Sequence, residues 1–481
     1  MHQPRTTVKT RTAETYDLVI VGLGSGGATA CEFATRIGAR TLVVERDRIG
    51  GDCLWTGCVP SKAAVAAAKT AHHLRTADRF GLPVSHEPID RRAVWARIRS
   101  VRENIAATDD NTERFTALGA EVAFGAARLV AANKVAIGDR VVTSRFVLLC
   151  TGSRPSLPEL AGLAATQPLT SETVWDIDQP PDQLLILGGG PIAVELAQST
   201  CRLGVDVTVL QRAERLLMRE EPTLVERLTR LLQAEGVRVA TNVDVRRVDR
   251  TATGVTVHGL EGGTPHGWEA DSILVATGRT PNTEGLGLEA VGAVINAGGV
   301  VVDNRMRTNL PWLYAAGDVA GRNLFTHAAG YEAVRAVRDM FYPGRGTADG
   351  LIPWCTFTDP ELAHAGMTER EAMTAYNTHV RLWDWDLDHS DRARTDATTE
   401  GLIRIVTGPK NVIVGAHILA PSAGEMIHEL ALAIQHRMPL GDVAKLVHVY
   451  PTFSTAVGQL AAESAYETAT KYRWITRLAK R

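Results

Sequence analysis

Asp17-Leu18-Val19-Ile20-Val21-Gly22-Leu23-Gly24-Ser25-Gly26-Gly27 is an apolar run that ends in spaced glycines. Such a run, bounded by glycine, predicts a parallel strand buried on both faces. Gly22, Gly24 and Gly27 predict a tight turn into a helix from Ala28 to Gly38, and Arg40-Thr41-Leu42-Val43-Val44-Glu45 predicts the next strand. The glycines let backbone N–H groups and the helix N-terminus face a pyrophosphate. Glu45 lies 23 residues past Gly22, where a carboxylate can accept hydrogen bonds from an adenosine ribose. A glycine fingerprint alone is weak evidence, but here strand, helix and terminal acid are all in place.

The unit then repeats. Leu184-Leu185-Ile186-Leu187 leads into Gly188-x-Gly190-x-x-Ala193, with Glu195 on the helix, and Val207-Thr208-Val209-Leu210-Gln211 closes it. Ala193 in place of a third glycine still permits close helix–strand packing. Gln211 lies 23 residues past Gly188, the same offset as Glu45. Two dinucleotide sites in one chain suggest two cofactors exchanging electrons. A glutamine at the second acid position removes the carboxylate that would repel a 2′-phosphate, and Arg212, Arg215 and Arg219 follow it. Guanidinium groups suit phosphate, which favours NADPH, with NADH as the other candidate. A solvated cluster at a helix start is the alternative reading of these arginines.

Between the two units lies Gly50-Gly51-Asp52-Cys53-Leu54-Trp55-Thr56-Gly57-Cys58-Val59-Pro60-Ser61-Lys62. Cys53 and Cys58 are five residues apart. Five residues of regular helix advance about 7.5 Å, beyond the usual Cα separation of a disulfide, roughly 4.4–6.8 Å. A bridge between them therefore requires irregular backbone, for which Gly57 and Pro60 supply permissive and restrictive positions. A strained, accessible disulfide is the labile, catalytic kind. Two unpaired core cysteines are the alternative.

Taken together these motifs resemble the pyridine nucleotide–disulfide oxidoreductases, the family of mercuric reductase, dihydrolipoamide dehydrogenase and glutathione reductase. The usual Gly-Gly-Thr-Cys reads Gly-Gly-Asp-Cys here, and Trp55 stands where relatives commonly have Asn. The resemblance continues through Cys150-Thr151-Gly152-Ser153-Arg154-Pro155, its echo Ala276-Thr277-Gly278-Arg279-Thr280-Pro281, and Ala315-Ala316-Gly317-Asp318. It implies an α/β fold with two Rossmann-like dinucleotide-binding domains, for FAD and NAD(P), and an α+β C-terminal dimerisation domain. The expected division is a disordered tail at 1–15, an FAD domain at 16–155 and 282–350, an inserted NAD(P) domain at 156–281, and an interface domain at 351–481.

The resemblance also implies a relay from NADPH through FAD to a Cys53–Cys58 disulfide and onward. Cys58 would face the flavin, Cys53 the acceptor, and Lys62 would pair with Glu195 beside the flavin. Gly22, Gly24, Gly27, Glu45, Gly51, Lys62, Ala127, Thr151, Gly152, Ser153, Gly317 and Asp318 are the expected FAD residues. Gly188, Gly190, Ala193, Glu195, Gln211, Arg212 and Gly278 are those for the nicotinamide cofactor. Disulfide-reducing relatives end in His-x-His-Pro-Thr-x-x-Glu, whereas this chain reads His448-Val449-Tyr450-Pro451-Thr452-Phe453-Ser454-Thr455. Tyr450 thus replaces the catalytic His and Thr455 its Glu, as in mercuric reductase for the tyrosine. A phenol with pKa near 10 cannot cycle near neutrality as imidazole does. The usual mercuric reductase also carries a paired-cysteine tail, and the last cysteine here is Cys355.

The rest of the composition narrows the class. Among 481 residues the formal net charge is −2 and 45% are hydrophobic, so no nucleic-acid partner and no membrane span are expected. Six cysteines without a regular spacing make no secreted framework, and a cytoplasmic setting follows. His72-His73 reads as a solvated helix face rather than a metal site, and no metal site is expected. The expected activity is NAD(P)H oxidation by a homodimeric flavoprotein. Its electrons would go to a small-molecule or metal-ion acceptor: a specialised disulfide or dithiol, a quinone or a metal ion. Mercuric ion reduction is the alternative within that class, and a non-catalytic FAD/thiol redox sensor the alternative outside it.

Overall fold

The computed structural model describes residues 15–342, 344 and 347–474. The expected tail at 1–15 lies outside them except for Thr15, which opens the first strand.

The described chain folds as two compact units, one of residues 15–57, 102–154 and 279–349, the other of 58–101, 155–278 and 350–474. The first unit begins with β1 (Thr15–Val21), α1 (Ser25–Arg36), β2 (Thr41–Glu45) and a short helix α2 (Gly51–Trp55). Its seven-stranded sheet places β1 between β2 and the strand Arg140–Leu149, both parallel to it. Leu18 and Ile20 pack on one side with Ala30 and Ala34 of α1, while Val19 and Val21 pack on the other with Val135 and Val142. Burial on both faces is why the strand is continuously apolar rather than alternating. Leu313–Ala315 adds a further parallel strand beside Arg140–Leu149 and delivers Gly317 and Asp318 at its C-terminal end.

The second unit begins with α3 (Cys58–Arg75). This helix starts at the second cysteine and ends at Arg75, and a single short turn, Ala77–Phe80, follows it and closes on the left-handed Gly81. Four parallel strands in the order Arg238–Ala240, Asp206–Leu210, Gln183–Leu187 and Ser272–Val275 form the repeated nucleotide sheet. The helix Pro191–Arg202 follows Gly190 and packs on α3. An antiparallel five-stranded sheet, with Glu361–Gly366, Ile413–Ala420 and Leu402–Thr407 at its centre, is covered by Ala423–Gln435. The fold is thus mixed α/β, as the motifs predict. Among the described residues no helix is long and apolar enough to cross a membrane.

Candidate active site

The glycine loop of the first unit closes on itself. Gly22 has φ +99°, and a Cβ there would lie 2.4 Å from the carbonyl oxygen of Cys150, so only glycine fits. Its counterpart Gly188, φ +112°, would meet the Ala276 carbonyl oxygen at the same 2.4 Å. The sequence repeat is therefore a repeat of backbone contacts. Glu45, at the end of β2, accepts the Leu23 N–H at 2.7 Å and the Asp47 N–H at 2.8 Å. Gly24 and Gly27 stand at the start of α1, and Gly51 crosses close to Gly24. Beside the end of β2, Ala127 lines a hollow of about 430 Å³ together with Phe124, Arg128, Ile137 and Gly285.

At the same edge of the sheet, just past the strand Arg140–Leu149, Thr151 and Gly152 are bound to Asn282 through backbone and side chain. The Ser153 hydroxyl donates to Asp318 at 2.5 Å and accepts from Arg279 at 2.7 Å. Burial pushes the Asp318 carboxyl above the usual range, against the pull of Ser153 and Arg279. The Gly317 N–H donates to buried Glu332 at 2.9 Å, a partner that no sequence motif marks. A bare loop facing a helix start, a carboxylate at the strand end, a hollow beside it and a buried aspartate fit a dinucleotide.

Cys53 sits in α2, and Cys58 is the first residue of α3, with Thr56 (φ −136°, ψ −15°) breaking the helical course between them. This is the irregular backbone that the spacing requires. Both cysteines are half-buried. Trp55 anchors the turn by donating to the Ile49 carbonyl at 2.7 Å, while its own carbonyl accepts from Arg102 at 2.7 Å.

In the second unit Lys62 of α3 meets Glu195 of the helix Pro191–Arg202 at 2.9 Å. The other oxygen of Glu195 accepts the Phe357 N–H at 2.8 Å, and the Phe357 ring lies 4.3 Å from the ammonium. Gly188 and Gly190 frame the start of that helix, Ala193 is fully buried in it, and Gly278 follows the last strand of the sheet with φ +143°. Gln211, at the end of its strand, donates to the Arg215 carbonyl at 3.1 Å. Arg212 is exposed beside it. The other two arginines are engaged elsewhere, which corrects the expected trio: Arg215 donates to the Leu217 and Met218 carbonyls, and Arg219 lies over Trp354 at 5.1 Å.

Tyr450 is exposed and donates its hydroxyl proton to Asp391 at 2.8 Å, a bond that raises the phenol above its ordinary 10.0. His448 points the other way, into the unit, where it bonds Glu429 at 3.0 Å. Thr455, in place of the relatives' Glu, bonds the Val449 carbonyl and Thr452 at the start of the helix Thr455–Lys471. Asp391 and Glu429 were invisible to motif reading because both lie far from Tyr450 and His448 in sequence. Among the described residues no group of three or more His, Cys, Asp or Glu could hold a metal ion.

Comparison with known proteins agrees with this architecture. Residues 16–333 match the pyridine nucleotide-disulphide oxidoreductase family, and residues 352–461 match that family's dimerisation domain. The chain belongs to the pyridine nucleotide-disulphide oxidoreductases, flavoprotein enzymes that use FAD and NAD(P)H. It is 36% identical to a mercuric reductase of Acidithiobacillus ferrooxidans over 96% of this chain and 85% of that one. It is 32% identical to a dihydrolipoyl dehydrogenase of Thermus scotoductus over 95% of this chain and 98% of that one. The HOCl-induced flavoprotein disulfide reductase RclA from Escherichia coli, solved also as a Cu(II) complex, superposes with TM-score 0.82 at 25% identity, over 93% of this chain and 99% of that one.

Proposed function

We propose that this enzyme oxidises NADPH and delivers the electrons, through Cys53 and Cys58, to a soft metal ion rather than to an ordinary disulfide. The observation that carries this reading is Tyr450 hydrogen-bonded to Asp391 where disulfide-reducing relatives hold an imidazole on a glutamate. Returning a proton to a leaving thiolate near neutrality needs a group that titrates there, as imidazole does. The Tyr450 hydroxyl is committed as a hydrogen-bond donor to Asp391, a bond that makes the phenol hold its proton more tightly. A soft cation held by two thiolates needs no imidazole to protonate a leaving sulfur. His448 cannot substitute, since Glu429 holds it inside the fold. The likeness to a mercuric reductase and to a flavoprotein crystallised with Cu(II) supports the same acceptor class.

The remaining site residues take their roles around this transfer. FAD, when bound, carries the two electrons of the nicotinamide hydride to the sulfur pair. Gly22, Gly24, Gly27 and Glu45 would hold its adenosine diphosphate end, with Ala127 and Gly51 beside it, and Thr151, Gly152, Ser153, Gly317 and Asp318 its ribityl chain. Gly188, Gly190, Ala193, Gly278 and Gln211 would hold NADPH, with Arg212 on the 2′-phosphate. Lys62, fixed by Glu195, would supply positive charge next to the flavin. The working form is a homodimer in the cytoplasm in which Tyr450 serves the partner subunit.

The test is NADPH oxidation by the purified holoenzyme with Hg(II), Cu(II), glutathione disulfide, lipoamide, quinones and dioxygen in parallel. The expected result is stimulation by a soft ion that disappears in Cys53→Ser and in Cys58→Ser. Turnover confined to a disulfide would refute the acceptor assignment.

A further inference from the structure

Asp52 stands where the relatives' pattern has threonine, and the relay described above gives it no part. Its surroundings show that it is built into the turn between the two cysteines. The Asp52 carbonyl accepts the Thr56 N–H at 2.9 Å and the Gly57 N–H at 2.6 Å. One carboxylate oxygen accepts the Thr56 hydroxyl. The other lies 3.2 Å from the guanidinium of Arg279, whose side chain is only 11% exposed. Gly57 is shaped to this arrangement, since a Cβ there would lie 3.1 Å from both the carbonyl and a carboxylate oxygen of Asp52.

Arg279 extends the clamp. It donates to the Ser153 hydroxyl and the Ser153 carbonyl, at 2.7 and 3.0 Å, and lies 3.6 Å from Asp318. One largely buried cation is thus shared between two carboxylates, one of them next in sequence to Cys53. Threonine at position 52 could bond the Thr56 hydroxyl but would leave Arg279 with a single carboxylate. The charge beside the cysteine turn is therefore set by a residue that departs from the family pattern.

We propose that Asp52 is a positioning residue for the cysteine pair, and that its ion pair with Arg279 sets how readily the pair is reduced. The inference rests on the reading of Cys53 and Cys58 as a reversible couple. Opening the bond between their sulfurs takes up two electrons and two protons, and closing it returns them. A nearby cation favours the thiolate and so the reduced form. Asp52 cancels that cation and holds the couple toward the disulfide.

The experiment equilibrates the holoenzyme with defined ratios of reduced to oxidised dithiothreitol, which supplies the two electrons. The samples are quenched in acid, the thiols alkylated, and Cys53 and Cys58 counted by mass spectrometry. Asp52→Asn keeps an acceptor for the Thr56 hydroxyl and removes only the charge. It should shift the equilibrium toward the dithiol about tenfold, which is about 30 mV for a two-electron couple. Thr56→Val removes the hydroxyl and leaves the charge, and should stay within about twofold of wild type. Circular dichroism and flavin content check that both variants fold. An Asp52→Asn equilibrium within about twofold of wild type, or displaced toward the disulfide, overturns the inference while the couple itself stands. Wild-type cysteines that are alkylated alike at every ratio overturn the reading of the couple, and the inference with it.

Discussion

Glu195 shows how one side chain holds a lysine in place. It is buried, and its two oxygens are divided between the Lys62 ammonium and the Phe357 N–H. Removing Lys62 leaves that carboxylate without its cation, whereas Glu195→Gln keeps the acceptor for Phe357 and gives up only the charge. A buried group that loses its partner costs about 1–3 kcal/mol, more when charged. Lys62→Met is therefore expected to lower the denaturant midpoint more than Glu195→Gln, by an amount equivalent to about 1–3 kcal/mol. Both variants should slow anaerobic reduction of the bound flavin by NADPH, because the ammonium is missing in one and unanchored in the other. Stopped-flow absorbance gives the rates. Equal rates in Glu195→Gln and wild type would show that Lys62 needs no anchor.

At the level of elements, the helix Pro191–Arg202 is held at both ends by charge. Its first turns carry Glu195 and its last residue is Arg202, which is buried and bonds Glu235 at 2.6 Å and Asp359 at 2.7 Å. Lys69 of α3 adds a further cation 3.1 Å from Asp359. Burial alone would raise the Asp359 carboxyl, but the hydrogen bond and charge of Arg202, with Lys69, outweigh it and hold the group below its ordinary 3.8. A carboxylate depressed by folding stabilises the native state above its unfolded pKa, and that contribution is lost as pH falls through the folded value. Arg202→Met breaks a buried pair and should cost about 3–5 kcal/mol at neutral pH. The deficit should narrow once the pH falls below about 4, where the unfolded carboxylate itself protonates. Urea titrations of both proteins at pH 7 and pH 3.5 measure this. A deficit that stays constant across the two would mean that Arg202 contributes packing rather than charge.

The larger plan of the molecule was legible wherever local chemistry repeats. The glycine loops follow from a backbone that leaves no room for a side chain at Gly22 and Gly188, the strand-end positions of Glu45 and Gln211 from their shared offset, and the Lys62–Glu195 pairing from two matching motifs. Pairings made across long stretches of chain, such as Asp52 with Arg279 or Tyr450 with Asp391, leave no periodic or spacing signal. The same holds for the engagement of Arg215, since a run of arginines looks identical whether it faces phosphate or its own loop carbonyls. The segment His448-Val449-Tyr450 was legible only as a motif, and the side-chain directions there and at the preceding Val447 give it a further meaning. Val447 is 91% exposed and Val449 76%, while the polar His448 between them is turned inward onto Glu429. That is the reverse of what a solvent-facing strand segment would show. A side chain of this size contributes about 1.5–3 kcal/mol when removed from water, so the arrangement makes sense where a second copy covers it. Val447→Asp combined with Val449→Asp is accordingly expected to convert a dimer into monomers at micromolar concentration, as sedimentation velocity would report. His448 and Glu429 are untouched, so the monomer should keep its fold and its flavin. If Tyr450 serves the partner's cysteine pair, acceptor-dependent NADPH oxidation should fall with the dimer fraction while flavin reduction by NADPH persists. A variant that stays dimeric would place the subunit contact elsewhere.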